Sequence, residues 1–224
     1  MIQDNVKRVL NDIAEAAIAA GRNPDEITLV GVTKTVTAEE ARILMDAGVC
    51  TLGENRVQSL LEKYDVLGNE PTWHLIGHLQ TNKVKYIADK VSMIHSVDSL
   101  HLAEEIDRQF EKVGRTADIL LQVNVSGEES KFGVTPCDAL RLAEQVSALS
   151  HVRVQGLMTM APIMEDPSET RKVFRGLQKL SVDMQKQKYD NVYMRHLSMG
   201  MSGDFREAIM EGATLVRIGS ALFV

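Results

Sequence analysis

Short apolar runs alternate with longer amphipathic segments along almost the whole chain. Eight of these runs have the length and composition of buried strands, and the segments between them carry apolar residues at spacings of three and four. The predicted strands are 27–33, 51–52, 72–76, 93–97, 117–125, 152–158, 192–199 and 214–219. This alternation predicts parallel strands that are joined by helices.

Several of the predicted helices carry capping signals at their ends. The first covers residues 2–20 with one apolar stripe and stops at Gly21. The second begins after Thr37, with Glu40 three residues later, and Gly48 follows its last turn. The other helices are expected at 57–67, from 82 onward, and at 99–113, 138–149, 168–187 and 203–210.

The number of strands decides between two α/β architectures. Eight parallel strands with short connections predict a single (β/α)8 TIM barrel, because an open doubly wound sheet of that size would need a longer chain and would leave an edge. We expect one domain, residues 1–224, since no linker or low-complexity tract divides the chain. No helix is expected after the eighth strand. The extra N-terminal helix is expected to cover the barrel in its place.

Composition and charge exclude several classes of function. The net charge is −6 and aromatic residues make up 4% of the chain, so neither a basic nucleic-acid surface nor a stacking platform is expected. Cys50 and Cys137 are far apart and form no metal or redox motif. No apolar run reaches the roughly 18 residues of a membrane span, and the amino terminus lacks signal-peptide character. We therefore expect a cytoplasmic protein that binds neither nucleic acid nor membrane and holds no metal.

Two segments rich in glycine and serine follow the seventh and eighth strands, where (β/α)8 barrels often bind phosphate. These segments are SMGMSGDF and RIGSALF. The small and hydroxyl residues that they offer to a phosphate are Ser198, Ser202, Gly219 and Ser220. Helix capping by Ser202, with Asp204 in the first turn, would explain the first segment without a ligand. The joint position of the two segments favours a phosphate site.

Lys34 ends the first predicted strand, ITLVGVTK, and is therefore expected to face the same rim. Two roles are open for this lysine. It is either a strand-end side chain that extends to solvent, or a nucleophile that forms a Schiff base with an aldehyde or ketone. The second role needs the neutral amine, which burial favours and a nearby phosphate dianion opposes. The residues alone leave this choice open.

A specific combination of motifs extends from about residue 30 to residue 223. The motifs are VTKTV, LGENRVQ, WHLIGHLQTNK, HSVDS, LLQVNVSGEESKFG, VQGLMTMAP, HLSMGMSGDF and LVRIGSALF. Together they resemble the YggS/PROSC family of pyridoxal 5′-phosphate (PLP) homeostasis proteins. The resemblance implies a fold-type III PLP-binding barrel like the N-terminal domain of alanine racemase. His78 and Val224 depart from the family pattern, which usually has a proline and a glycine at these positions.

The resemblance also implies roles for individual residues. It makes Lys34 the lysine that holds PLP as an internal aldimine, and it places Arg217 near the pyridine nitrogen and Asn55 beside the ring. The phosphate contacts that it implies come from Ser198, Ser202, Gly219 and Ser220. An arginine only donates hydrogen bonds, so a pyridine nitrogen that faces it stays unprotonated, and PLP is then a weaker electron sink than with an aspartate partner.

These expectations together predict a PLP-binding protein of vitamin B6 homeostasis that carries, buffers or delivers the cofactor without robust turnover. The expected partners are PLP and apo-enzymes that use it, and the expected assembly is a monomer or a weak dimer. A PLP-dependent, racemase-like enzyme acting on amino acids is the alternative. Racemisation needs a second acid/base group, which an extra domain supplies in alanine racemase, and no such domain is expected within these 224 residues. A Schiff-base aldolase that uses a sugar phosphate is the third hypothesis.

Overall fold

The strands form a closed barrel of eight parallel strands in chain order, and the last strand pairs with the first. The computed structural model describes residues 1–128 and 132–224, so Glu129, Ser130 and Lys131 of the fifth motif lie outside the described residues. The strands are β1 Thr28–Val32, β2 Thr51–Glu54, β3 Thr72–Leu75, β4 Met93–Val97, β5 Ala117–Gln122, β6 Val152–Met158, β7 Val192–Ser198 and β8 Leu215–Ile218. The predicted barrel is confirmed.

The helices surround this barrel and keep most of the predicted bounds. They are α1 Ile2–Ala19, α2 Ala38–Asp46, α3 Val57–Leu67, α4 Leu100–Lys112, α5 Pro136–Val146, α6 Pro167–Gln185, α7 Phe205–Met210 and α8 Ser220–Phe223. Thr37 and Glu40 form the predicted capping box of α2, and Ser99 caps α4 through the backbone N–H of Leu102. Among the described residues, no helix has the length and apolar character needed to cross a membrane.

The connections after β3 and β8 differ in how well they were predicted. Between β3 and β4 the helix expected from residue 82 is the 3-10 helix Thr81–Tyr86. Val84 and Ile87 are both buried there, and their spacing of three residues matches the three residues per turn of a 3-10 helix. After β8 the chain forms the single turn α8, where no helix was expected. This turn buries Leu222 completely.

Helix α1 covers the barrel, as predicted, but it does so beside α8 and not in place of a last helix. Its buried face contains Val6, Val9 and Ile13, and the helix packs against α2, α7 and α8. The side-chain amide of Asn5 donates to the carbonyl oxygens of Leu222 and Val224, each at 3.3 Å. The N-terminal helix therefore fixes the position of the segment that follows β8.

A small apolar cluster of strand residues is separate from the main core. It consists of Val30, Met93, Leu120, Met158 and Leu215, which come from five different strands and are nearly or fully buried. Layers of apolar side chains of this kind fill the interior of (β/α)8 barrels. Ile76 and Met160, just beyond the carboxyl ends of β3 and β6, pack against this cluster.

Candidate functional site

The carboxyl ends of the strands open into a cavity of about 820 Å³. Six of the seven residues that the sequence singled out line this cavity, namely Lys34, Asn55, Ser202, Arg217, Gly219 and Ser220. Ile76, Met160 and Phe132 are among the residues that give it apolar walls. Its volume lies within the range of roughly 300–1,000 Å³ that is usual for cavities binding small organic molecules. This cavity is the candidate functional site.

Lys34 lies in a turn two residues beyond β1. The backbone N–H of Val36 closes this turn on the carbonyl oxygen of Thr33 at 3.2 Å. Thr33 is fully buried, and its own N–H donates to Gly53 O at 3.1 Å. The side chain of Lys34 is exposed and lines the cavity. An anchored turn thus presents an exposed lysine to the cavity.

Asn55 follows β2 directly, and Gly77 holds its backbone in place. A Cβ atom at Gly77 would lie 2.2 Å from Asn55 O, so only glycine permits this contact between the loops after β2 and β3. Both residues line the cavity. Gly77 was not among the predicted site residues, although a glycine at the end of a predicted strand indicates a close backbone approach.

Ser202 joins the segments that follow β7 and β8. Its Oγ accepts hydrogen bonds from the backbone N–H groups of Gly219 and Ala221, both at 3.4 Å. These contacts are long for N–H···O bonds, so the hydroxyl is weakly held and can take a stronger partner. Ser202 and Gly219 therefore act as one structural unit at the cavity wall.

The predicted capping of a helix by Ser202 is wrong. The helix expected from residue 203 begins at Phe205, and its N-cap residue is Asp204. The carboxylate of Asp204 accepts a hydrogen bond from the N–H of Met201 at 2.6 Å, which closes a turn ahead of the helix. Burial raises the pKa of Asp204, while this hydrogen bond and the nearby Arg217 oppose the rise. The capping explanation therefore does not account for the hydroxyl of Ser202.

Two backbone N–H groups near Ser202 are available to an anion. Within residues 1–128 and 132–224, the N–H groups of Gly203 and Ser220 donate to no acceptor. A Cβ atom at Gly203 would meet no atom within 4 Å, so the space next to its backbone is open. Unpaired backbone N–H groups together with hydroxyls form a suitable donor set for a phosphate.

Ser198 lies below the cavity and not on its lining. Its side chain is fully buried, and its Oγ accepts a hydrogen bond from Nη1 of Arg217 at 2.6 Å. Arg217 also donates from Nη2 to the carbonyl oxygen of Thr159 at 2.9 Å. These two bonds fix the plane of the guanidinium. The phosphate contact that the resemblance implies for Ser198 stays a prediction, and the structure gives this hydroxyl a different set of partners.

Arg217 is a buried cation at the floor of the cavity. Burial lowers its pKa to about 10, and the nearby carboxylate of Asp204 opposes this change. The guanidinium is therefore still protonated at neutral pH. Since an arginine has no acceptor, any group that it faces in the cavity must accept a hydrogen bond.

Two buried histidines extend the hydrogen bonds of Arg217 into the barrel. His95 Nδ1 lies 2.9 Å from Ser198 Oγ, and His95 Nε2 lies 3.0 Å from His74 Nδ1. Ser198 Oγ accepts a hydrogen bond from Arg217 and donates its own hydrogen to His95 Nδ1. The Nε2–H of His95 then donates to Nδ1 of His74. His95 was not among the predicted site residues, although a histidine within a predicted buried strand is a visible signal of a polar interior site.

Burial keeps both histidines neutral. It lowers the pKa of His74 to about 4, with a smaller effect from the nearby His196. Burial also lowers the pKa of His95 well below its usual value, and the neighbouring His74 and Arg217 add to this effect. His74 and His95 are therefore uncharged at neutral pH. The guanidinium of Arg217 is the positive group of this hydrogen-bonded chain.

Acid is expected to destabilise the protein through His74. Its pKa is about 4 in the folded chain and about 6.5 when unfolded, so the unfolded chain binds the proton first as the pH falls. The contribution of neutral His74 to the free energy of unfolding is fully present above pH 6.5. It is lost as the pH falls towards 4, by about 3 kcal/mol in all. Urea unfolding between pH 7 and pH 4.5 measures this slope.

The matched variants for this measurement are His74→Gln and His101→Gln. His101 is exposed, so its replacement should leave the pH slope unchanged. His74→Gln should reduce the slope, because that position no longer takes up a proton on unfolding, and the slope that remains includes the contribution of His95. An identical slope in the wild-type protein and in His74→Gln would contradict the assignment of the acid sensitivity to His74.

Comparison with known proteins first defines the class. The family model described as "Alanine racemase, N-terminal domain" matches residues 13–224. An alanine racemase from Clostridium difficile has a TM-score of 0.78 to this chain at 18% identity, covering 98% of this chain and 56% of the racemase. At that identity the likeness shows the fold alone. The chain is thus a barrel of the alanine racemase N-terminal-domain class.

More similar relatives define the family within this class. The pyridoxal phosphate homeostasis protein of Aquifex aeolicus is 46% identical over 221 residues, covering 98% of this chain and 96% of that protein. PipY of Synechococcus elongatus, in a structure with PLP bound, has a TM-score of 0.84 at 36% identity and covers 95% of this chain and 100% of that chain. The chain belongs to the family of pyridoxal phosphate homeostasis proteins, as the sequence motifs predicted.

Proposed function

We propose that this chain binds PLP as a Schiff base on Lys34 and acts in vitamin B6 homeostasis by holding the cofactor without robust catalytic turnover. The observation that carries the proposal is the convergence of Lys34, Arg217 and Ser202 on one cavity. Membership of the homeostasis family and the PLP-bound structure of PipY support it.

The residues at this cavity fit the chemical groups of PLP. Ser202, Ser220 and the N–H of Gly203 offer donors to a phosphate, and Arg217 offers a fixed donor to a ring nitrogen. Asn55 supplies a further polar contact at the same cavity. When bound, PLP supplies an aldehyde that condenses with an amine and a ring that withdraws electrons. Lys34 supplies that amine.

Arg217 supports a carrier over a strong catalyst. Its guanidinium stays protonated and donates only, and its two bonds to Ser198 and Thr159 hold it in one orientation. It therefore keeps a ring nitrogen opposite it in the unprotonated form, which weakens electron withdrawal by the ring. Alanine racemase works with such an arginine, so Arg217 alone does not separate a carrier from a racemase. The groups that separate the two functions are other side chains at the cavity.

The supply of acid/base groups separates the carrier from the racemase-like alternative. Racemisation needs a second proton donor besides the lysine, and no tyrosine or cysteine lines the cavity among the described residues. His78 lines it, but its ring is stacked on Phe132 with ring centroids 4.7 Å apart. Asp204 is engaged by the N–H of Met201. A racemase-like enzyme would have to use His78 or one of the carboxylates at the cavity, Asp204 and Glu207, whereas a carrier needs none of these groups.

Exchange of the α-proton of amino acids tests the two functions. The protein is loaded with PLP and incubated with each amino acid in deuterated water, and proton NMR follows the loss of the α-proton signal. We expect a visible absorbance band from the loaded protein and no catalytic exchange above that of free PLP. Rapid exchange with multiple turnovers would establish the racemase-like function instead, and its loss in His78→Asn or in Glu207→Gln would identify the acid/base group.

Replacing Ser202 with alanine is expected to weaken PLP retention by a factor of roughly 10 or more. A hydrogen bond to a charged group contributes about 1.5–3 kcal/mol, and tenfold corresponds to about 1.4 kcal/mol. Equilibrium dialysis measures the retention. The control is Ser150→Ala, which removes an exposed hydroxyl that is not part of the cavity lining. Equal retention in both variants would remove Ser202 from the proposed phosphate site.

A protein that delivers PLP must contact the apo-enzymes that use the cofactor. We propose such enzymes as partners because a cofactor held through a reversible bond can be passed on. Transfer is tested by mixing the loaded protein with a PLP-dependent apo-enzyme and following the recovery of that enzyme's activity. Recovery no faster than with an equal concentration of free PLP would contradict direct delivery.

A further inference from the structure

A buried carboxylate lies next to the turn that carries Lys34. Glu54 is the last residue of β2 and is fully buried. Its Oε1 accepts a hydrogen bond from Oγ1 of Thr33 at 2.6 Å and lies 2.8 Å from Nζ of Lys63. Its Oε2 has no hydrogen-bond partner within the part of the chain that the structure describes. We call Thr33, Glu54 and Lys63 the Glu54 cluster.

Stability alone does not explain the Glu54 cluster. Removing two charges from water is costly, and replacing a buried ion pair with apolar residues often leaves stability unchanged or increases it. An oxygen that stays unpaired adds to the cost. A buried pair of this kind is better explained by the geometry that it imposes on its neighbours.

The geometry that the cluster imposes concerns two loops at the cavity. Thr33 directly precedes Lys34, and Glu54 directly precedes Asn55. The side-chain bond between Thr33 and Glu54 adds to two backbone bonds in the same place, from Thr33 N to Gly53 O and from Ile76 N to Glu54 O at 2.9 Å. The cluster thus holds Thr33, the first residue of the turn 33–36, in one position. Lys34 is the residue that directly follows it.

We propose that the Glu54 cluster positions Lys34 for its covalent attachment to PLP. Thr33 and Glu54 are positioning residues, because neither lines the cavity and both act through the residue that follows them. Lys63, from α3, holds the carboxylate in the orientation that accepts from Thr33. This inference rests on the proposed function of Lys34.

The attachment depends on orientation for a chemical reason. The amine nitrogen of Lys34 attacks the carbonyl carbon of the aldehyde, a C=N bond replaces the C=O bond, and the oxygen leaves as water with two hydrogens. Once PLP is bound in the cavity, the reaction is effectively intramolecular. A fixed turn holds the amine of Lys34 near the aldehyde and so raises the effective concentration of the amine. Loosening the turn should therefore weaken covalent attachment without altering the contacts of the phosphate or the ring.

The experiment compares Thr33→Val, which has nearly the same shape but no hydroxyl, with Thr33→Ser, which keeps the hydroxyl. Both full-length variants are titrated with PLP, and the visible absorbance of the lysine adduct reports covalent attachment. We expect Thr33→Val to weaken attachment by roughly tenfold and Thr33→Ser to stay close to the wild-type protein, because the loss is that of one hydrogen bond to a charged group.

A second background separates positioning from general damage. In Lys34→Ala, only noncovalent binding of PLP remains, and equilibrium dialysis measures it. If the cluster acts through Lys34, Thr33→Val should cause no further loss in this background. Should Thr33→Val fail to fold, Thr33→Ala is compared in the same two backgrounds.

Three results overturn parts of this account, and they can be told apart. Attachment in Thr33→Val equal to that of the wild-type protein overturns the role of the cluster. An equal loss of binding with and without Lys34 also overturns it, because the effect would then be on the cavity as a whole. A wild-type protein that forms no adduct at all overturns the proposed function itself.

Discussion

Replacing Lys34 with alanine is expected to abolish the covalent attachment of PLP completely, together with the visible absorbance band of the loaded protein. The side chain of Lys34 is the amine that we assign to the cofactor's aldehyde, and alanine has no nucleophile. The fold should be intact, because Lys34 is exposed in a turn and substitutions at such positions usually change stability by less than about 0.5 kcal/mol. Absorbance spectra before and after addition of PLP measure the effect.

A matched lysine variant and a chemical trap make this test specific. Lys7→Ala removes an exposed lysine on α1 that is not part of the cavity lining, and it should keep the full absorbance band. Borohydride reduction followed by peptide mass analysis should place the cofactor on Lys34 in the wild-type protein. A band of equal strength in Lys34→Ala, or a trapped cofactor on another lysine alone, would refute the assignment.

Replacing Lys63 with methionine is expected to lower the free energy of unfolding by about 3–5 kcal/mol, because it leaves a buried carboxylate without its counter-charge. Glu54 is fully buried and Lys63 almost so, and the two lie 2.8 Å apart. The loss would be a large part of the roughly 5–15 kcal/mol that stabilises a typical protein. Urea unfolding at pH 7 measures it.

Two comparisons identify the cause of this loss. The double variant Lys63→Met with Glu54→Gln removes both charges and should recover most of the lost stability. Lys172→Met breaks an exposed ion pair with Glu169 on α6 and should cost about 1 kcal/mol or less. If the double variant is no more stable than Lys63→Met, the effect comes from lost packing and not from the unpaired charge.

The floor of the cavity has two kinds of polar support, and they serve different groups. The Glu54 cluster borders the turn of Lys34 and contains one buried ion pair. The chain of Arg217, Ser198, His95 and His74 holds a guanidinium with neutral partners only. The hydrogen-bond partners beneath Arg217 carry no charge, and the nearby carboxylate of Asp204 lies at the cavity with it. The protein thus fixes its amine and its cation independently.

The outline of the barrel could be predicted from sequence because local patterns determine it. The predicted strands 93–97 and 152–158 agree with the bounds of β4 and β6, since buried parallel strands are rich in apolar residues even where single polar residues interrupt them. Thr37 with Glu40 marked the start of α2, because a capping box depends on residues three positions apart. The turn α8 was missed and the 3-10 type of the helix after β3 was not predicted, because short elements depend on what they bury and not on a repeating pattern.

The amino-acid sequence by itself determined that eight strands alternate with helices and that Lys34, Asn55, Ser202, Arg217, Gly219 and Ser220 lie at strand ends or in the loops that follow. In a closed parallel barrel those ends meet, so the residues share one cavity. Only the tertiary structure decided that Ser198 lies beneath Arg217, that His95 joins Ser198 to His74, and that Glu54 binds Thr33 and Lys63. These contacts join side chains from different strands and helices, and they depend on register and on the direction of each side chain across the barrel, which no local pattern specifies.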